Sequence, residues 1–174
     1  QKLNLKMRIL FYAPFKPLDH AHPSGDLVTA TEIVDYLIKK GHQVVAASSL
    51  RCRWIYWKPW LWPKFIVEKR KVVRRFAKAD YDLWFTYHTY YKAPDLLGPS
   101  CSRKMSIPYV VFQGIYSTKR RRKLKTLPGF LLNRRALRAA QLVFTNKKID
   151  ELNLKRLLPE TRVKYVAPGL IPEQ

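Results

Sequence analysis

The feature that most constrains this chain is a change of hydrophobic period within residues 7–47, MRILFYAPFKPLDHAHPSGDLVTATEIVDYLIKKGHQVVAA. Residues 8–13 are a short apolar run of the kind that suits a buried parallel strand. From Ser24-Gly25 onward, Leu27, Ala30, Ile33, Val34, Leu37 and Ile38 recur at three- and four-residue steps. Asp26, Thr29, Glu32 and Lys39 fall on the opposite face, so the segment reads as an amphipathic helix lying on a sheet. Ser24 is placed to cap its start and Gly41 to stop it. Residues 43–47 then read as a second buried strand, and strand, helix and strand close a right-handed βαβ unit.

The loop between the first strand and its helix, residues 14–25, is long and rich in proline. It sits where open parallel sheets bind ligands, beyond the carboxyl ends of the strands and beside a helix N-terminus. Long loops at that edge tend to be functional. Neither GxGxxG nor GxxxxGK[ST] is present, which argues against an ordinary NAD enzyme and a P-loop NTPase.

Further strands are expected at residues 82–86, 109–113, 142–145 and 162–166. Helices are expected from Pro63, across 93–102 from near Pro94, and at 128–140 and 149–158. Six strands alternating with helices predict an α/β protein with an open, mostly parallel sheet and helices on both faces. The whole of 1–174 reads as a single domain of ordinary size, with no repeat or flexible linker. No run is apolar enough to span a bilayer, and the opening QKLNLK leads into no signal-peptide core. Cys52 and Cys101 are too few for a disulfide framework, so free thiols and a cytoplasmic setting are expected.

A formal net charge of +22 calls for an anionic partner. The positive charge is concentrated in two places. Residues 51–75, RCRWIYWKPWLWPKFIVEKRKVVRR, hold Trp54, Trp57, Trp60 and Trp62, with Phe65, Ile66, Val72, Val73 and Phe76 as an apolar stripe. Tryptophan interleaved with Lys and Arg on an amphipathic segment is the composition of an interfacial membrane contact. The alternative is a sheet-covering helix preceded by a loop whose tryptophans pack inward. Residues 119–125, KRRRKLK, form the second cluster: Arg120, Arg121 and Arg122 either sit in a solvated loop or share one basic, aromatic face with the tryptophans.

Several residues fall at the ligand edge. His88, with Tyr87, Tyr90 and Tyr91, follows the third strand and suits a sugar or lipid headgroup, although a lone histidine is commonly structural. Asn146 closes the fifth strand and either touches ligand or caps the next helix. His20 and His22 with Asp19 and Asp26 offer no third spaced ligand, so no metal site is expected.

In this order and spacing, MRILFYAPF, PSGD, LIKKGHQVV, YDLWFTYH, IPYVVFQG, RALRAAQLVFTN and RVKYVAPGL resemble the N-terminal half of a GT-B glycosyltransferase of the family 4 type. The resemblance covers nearly the whole chain. It implies a domain that binds the acceptor, with a nucleotide-sugar bound mainly by a second, C-terminal domain that is not in this chain. A hexosyltransferase-like, retaining reaction is implied, with the nucleotide-sugar as substrate and no metal or other cofactor. This chain alone is then expected to be inactive. Ser24 and Gly25 match the family's glycine loop facing the donor phosphates, with Ser in place of one of the usual two glycines. Gln113 and Gly114 stand where many relatives carry His and a small or acidic residue near the transferred sugar. Gln can bind a hydroxyl there but cannot act as a base; a plain strand-end turn is the other reading.

The expectation is therefore the acceptor-binding half of a glycosyltransferase of polysaccharide biosynthesis, peripheral at the cytoplasmic face of an anionic membrane. Its acceptor would be a lipid-linked or cell-envelope glycan. Two alternatives remain: a basic nucleic-acid-binding α/β module, in which aromatic rings stack on bases, and a stand-alone membrane-anchoring subunit for a separate catalytic chain. Nucleic acid is the less favoured partner, because no RNA-binding signature is present and the tryptophans cluster off the strands.

Overall fold

The structure is a computed structural model that describes residues 6–22 and 24–167. Pro23 of the PSGD motif and residues 168–170 of VAPGL lie outside the described residues. Six strands form one parallel sheet: β1 (Arg8–Tyr12), β2 (Gln43–Ala46), β3 (Leu83–Thr89), β4 (Tyr109–Gly114), β5 (Leu142–Thr145) and β6 (Val163–Tyr165). Their spatial order is β2-β1-β3-β4-β5-β6, and every neighbouring pair is parallel. The order reverses at β1 and β3, which puts a crevice beyond the carboxyl ends of those two strands.

Five α-helices connect the strands: α1 (Gly25–Lys39), α2 (Trp62–Phe76), α3 (Gly98–Met105), α4 (Leu127–Ala139) and α5 (Lys148–Lys155). Side-chain alternation along the strands splits the core in two. Leu10, Tyr12, Trp84, Tyr109, Val111 and Val143 pack under α2, α3, α4 and α5. Phe11, Ala13, Phe85, Tyr87 and Phe112 pack under α1 alone. On the α1 side a row of rings runs across the sheet, with Phe11, Phe85 and Phe112 stacked at centroid spacings of 5.6 and 6.4 Å and Phe144 tilted against Phe112 at 6.4 Å.

In the first βαβ unit the ends of α1 match their sequence signals, but β2, expected to be buried, is an edge strand with no buried residue, and Ile38, expected on the apolar face of α1, is 50% exposed. Ser24 Oγ accepts from Leu27 N at 3.4 Å and caps α1. The chain leaves that helix through Gly41 at φ +89°, a conformation that favours glycine. Other boundaries moved. The third strand runs three residues beyond the expected Thr86, so His88 lies inside β3 instead of following it. The third helix starts at Gly98, because residues 93–97 first form a tight turn around Asp95. The last helix, α5, spans Lys148–Lys155 and stops short of residue 158. In α2, Val72 and Phe76 are buried, whereas Ile66, expected on the same stripe, is 46% exposed.

Asp95 is fully buried and binds four donors. Thr86 Oγ1 and Tyr109 OH donate to Oδ2 at 2.6 and 2.8 Å, and the Leu97 and Gly98 amides donate to Oδ1 at 3.0 and 2.8 Å. Burial pushes its carboxyl above the ordinary value, and the four donated bonds pull in the opposite direction. The network continues: Trp84 Nε1 donates to Thr86 Oγ1, and the Asp95 amide donates to Thr89 Oγ1. Thr89 Oγ1 in turn donates to Asn133 Oδ1 of α4 at 2.9 Å. A Cβ on Gly98 would clash with Asp95 Oδ2 and with the Tyr109 ring. Gly98→Ala is expected to cost about 2 kcal/mol by overpacking. Asp95→Ala, which orphans several buried donors, is expected to cost about 3 kcal/mol or more. Urea unfolding of both variants checks these values.

Candidate functional site at the carboxyl edge of the sheet

Two adjacent strands break their regular conformation at the same level. His88 in β3 has φ 59° and Gln113 in β4 has φ 60°, both left-handed. The register pairs Tyr87 with Phe112 and Thr89 with Gly114, so the two kinks lie side by side and the ladder resumes after them. Left-handed conformations in non-glycine residues cost roughly 1 kcal/mol or more each, and they recur at functional sites. The kinks re-aim side chains. By alternation His88 should point with Thr86 toward α3, yet it turns with Tyr87 to the α1 side and meets Asp26.

His88 Nδ1 lies 2.9 Å from Asp26 Oδ1 in the first turn of α1. A carboxylate accepts, so Nδ1 carries the proton and Nε2 presents a lone pair. This pairing makes the free nitrogen of His88 an acceptor. The ring stacks on Tyr90 at 4.7 Å, and Phe15 of the proline-rich loop packs edge-on against both. Burial lowers the His88 pKa from its ordinary 6.5, opposed by the Asp26 charge and hydrogen bond. Lys147 and Asp150 also act on it, so the start of α5 belongs to the same crevice.

Three other residues at this edge have properties that point outward. Gly25, the first residue of α1, has no heavy atom within 4 Å of an added Cβ and no positive φ, so the fold does not require a glycine there. Among the described residues Gln113 Oε1 and Asn146 Oδ1, like Arg134 Nε on α4, are buried with no hydrogen-bond partner. Such atoms are rare and call for a partner. By contrast, Gly114 is held by packing: its Cβ would press on Leu137 and Val143. Ser24 acts as the cap of α1 and leaves the amides of that first turn at the crevice.

The tryptophan-rich segment and the basic loop meet beside this crevice. Trp57 Nε1 donates to Lys125 O at 2.9 Å, and Tyr56 OH donates to Tyr91 O at 2.9 Å. The Arg120 guanidinium sits 4.5 Å over the Tyr91 ring. Trp57 and Trp60 are 50% and 69% exposed and do not pack inward, whereas Trp62, 38% exposed, lies edge-on to Phe65 on α2. Trp54 does differ: it is half-buried against Tyr56 and Tyr91, and its amide donates to Lys92 O. Arg121 and Arg122 are exposed in the 3₁₀ turn Thr118–Arg122. His20 and His22 pack against each other, and among the described residues no group of three or more His, Cys, Asp or Glu is arranged to hold a metal ion. Cys52 and Cys101 are free and buried, each pushed up to about 12 by burial.

The pairing of His88 with Asp26 and the shelf formed by Phe15 were not foreseen. The available signal was an acid in the first turn of a helix whose N-terminus faces the end of a neighbouring strand.

No family model and no curated relative matches this sequence. Among solved structures, the chain is similar to Anabaena Alr3699/HepE in complex with UDP, at TM-score 0.60 and 17% identity over 94% of this chain. HepE in complex with UDP and glucose matches at TM-score 0.60 and 16% identity over 94% of the chain, and HepE with UDP-glucose at 0.59 and 18% over 94%. The chain spans less than half of those structures, 44%, 45% and 44% respectively. The fold is that of one Rossmann-like half of a GT-B glycosyltransferase.

Two measurements probe the site. In the unfolded chain His88 binds its proton first as pH falls, so its contribution to stability is intact above 6.5 and drains as pH drops toward the lowered folded value. His88→Gln is expected to remove that part of the slope, and Asp26→Asn to move the His88 NMR titration lower still. Gly25→Ala is expected to leave stability unchanged or raise it by about 0.5 kcal/mol, unlike Gly98→Ala, as read by thermal unfolding.

Proposed function

We propose that this chain is the N-terminal, acceptor-binding half of a membrane-associated glycosyltransferase that moves a sugar from a nucleotide-sugar to a lipid-linked or cell-envelope glycan. The observation that carries the reading is the crevice itself. An uncrowded Gly25 at a helix N-terminus faces an edge where Gln113 Oε1 and Asn146 Oδ1 are buried without partners. A diphosphate leaving group is stabilised by backbone amides and a helix N-terminus without a metal. Gln113 and Asn146 hydrogen-bond sugar hydroxyls, and His88 Nε2 accepts from an acceptor hydroxyl while Tyr90 and Tyr91 stack on its ring face. Retaining transfer, with the departing phosphate assisting front-face attack, needs no protein base, which suits Gln113. The nucleotide-sugar is held mainly by a second domain, and this half alone does not turn over.

The membrane part of the proposal rests on the exposed Trp57, Trp60 and Trp62 beside Arg120, Arg121 and Arg122. This face binds the anionic cytoplasmic leaflet peripherally. Among the described residues no helix is long and apolar enough to cross a membrane.

Transfer of labelled sugar from UDP-glucose and other nucleotide-sugars to a membrane lipid extract, assayed with the full gene product, is expected to occur. It should fall about tenfold or more in Gly25→Val, because a branched side chain blocks phosphate approach. Absence of transfer from every nucleotide-sugar tried would sink the enzyme reading. For the membrane face, co-sedimentation with vesicles containing anionic lipid should drop about a hundredfold when Arg120, Arg121 and Arg122 are all changed to Ala, at roughly 1 kcal/mol per charge. Equal binding to neutral vesicles, or tighter binding to RNA, would refute the membrane assignment.

A further inference from the structure

On the helical side away from α1, an open groove of about 820 Å³ runs between α2, α3 and α4. It is distinct from the crevice at the carboxyl edge: its far end reaches Ile107, Pro108 and Gln141, at the amino ends of β4 and β5. Its size is that of a small-molecule or lipid site. Its lining is mixed, with Asp95, Ser100, Ser102 and Gln141 as polar groups and Ile107, Pro108, Ala136 and Ala139 as apolar wall at the far end, but its cations gather toward one end. Trp62 and Phe65 on α2 are followed one turn later by Lys69, and Leu132 on α4 is followed by Arg135. Both helices run from the carboxyl edge toward the amino edge, so Trp62, Phe65 and Leu132 lie beneath the tryptophan-rich surface and Lys69 and Arg135 beyond it. Arg103, near the end of α3, adds a third cation to that end.

The charge is uncompensated. Among the described residues Asp95 is the only acid lining the groove, and both of its oxygens are already engaged by Thr86, Tyr109, Leu97 and Gly98. No residue among Lys69, Arg103 and Arg135 makes a salt bridge within the described residues. Apolar wall along the groove with three cations gathered toward one end fits a ligand with an apolar chain and an anionic head.

We propose that this groove binds an anionic single-chain lipid. Its hydrocarbon chain lies along Trp62, Phe65, Leu96 and Leu132, and its phosphate head sits among Lys69, Arg103 and Arg135. This site goes beyond the crevice and does not depend on sugar transfer.

The test is isothermal titration of the full 174-residue chain with dodecyl phosphate below its micellar concentration. Saturable binding is expected, with no matching affinity for inorganic phosphate or for dodecyltrimethylammonium. Arg135→Glu, at an exposed position, and Leu132→Trp, which fills the groove, should each weaken binding about tenfold or more. Circular dichroism checks whether each variant is folded, and Arg135→Glu decides the outcome if Leu132→Trp is not. Trp60→Ala should weaken vesicle partition and leave dodecyl phosphate affinity within about twofold, which separates this site from the membrane face. No binding, equal affinity for the cationic amphiphile, or binding insensitive to Arg135→Glu but lost in Trp60→Ala would overturn the proposal.

Discussion

The buried hydrogen bonds around Asp95 hold the working edge of this domain in place. Asp95 ties Thr86 of β3, Tyr109 of β4 and the start of α3 into one cluster, and its own amide reaches Thr89. Thr89 is in turn fixed to Asn133 of α4, whose Nδ2 donates to Ile115 O just past β4. Thr86 and Thr89 therefore clamp β3 on both sides of His88, on the face opposite the crevice. A strained residue persists only where its surroundings over-determine it. Fully satisfied buried networks of this kind are rigid because any loosened member leaves a donor unpaired in a low-dielectric interior. The rigidity lies in the core, and the adaptable, unpartnered groups Gln113 and Asn146 lie at its rim.

Charge is distributed on the same plan. The chain carries +22, and at the crevice Asp26 and Asp150 stand with Lys147, with Arg53 over the Phe15 ring and with Arg51, whose Nε donates to Phe15 O. Further cations lie outside it, on α2 and in the turn of residues 118–122, where Tyr56, Trp57 and Tyr91 join the two loops. Large net charge repels itself, and spreading it over the surface limits that cost while keeping a strong field toward anionic partners. Guanidinium groups resting on aromatic rings, as Arg120 does on Tyr91, hold their charge in place without an acidic neighbour.

Most of the fold was legible in the sequence because its signals are local. Period-two and period-3.6 patterns, the Ser24 cap and the Gly41 stop each act within a few residues, and the structure reproduces them. The misplacements come from non-local forces. α3 starts late because Asp95 turns inward to bonds with β3 and β4, partners far away in sequence. β3 runs on past Thr86 because β4 remains beside it as far as Gly114. At the edge, sequence order singled out Ser24, Gly25, His88, Gln113 and Asn146, but a helix-to-strand pairing such as Asp26 with His88 has no one-dimensional signature. The groove between α2, α3 and α4 was invisible for the same reason: its wall comes from three helices and its polarity from their common direction.

The side-by-side kinks at His88 and Gln113 have an evolutionary consequence. Each strand contributes one residue between the paired flanks, so neither gains length relative to the other. Straightening only one of them would swing its later side chains to the wrong face while its neighbour kept the old alternation. The two positions are thus a single heritable unit. A lineage could move from kinked to straight only by changing both together, and descendants of this domain should show either state but seldom a mixture.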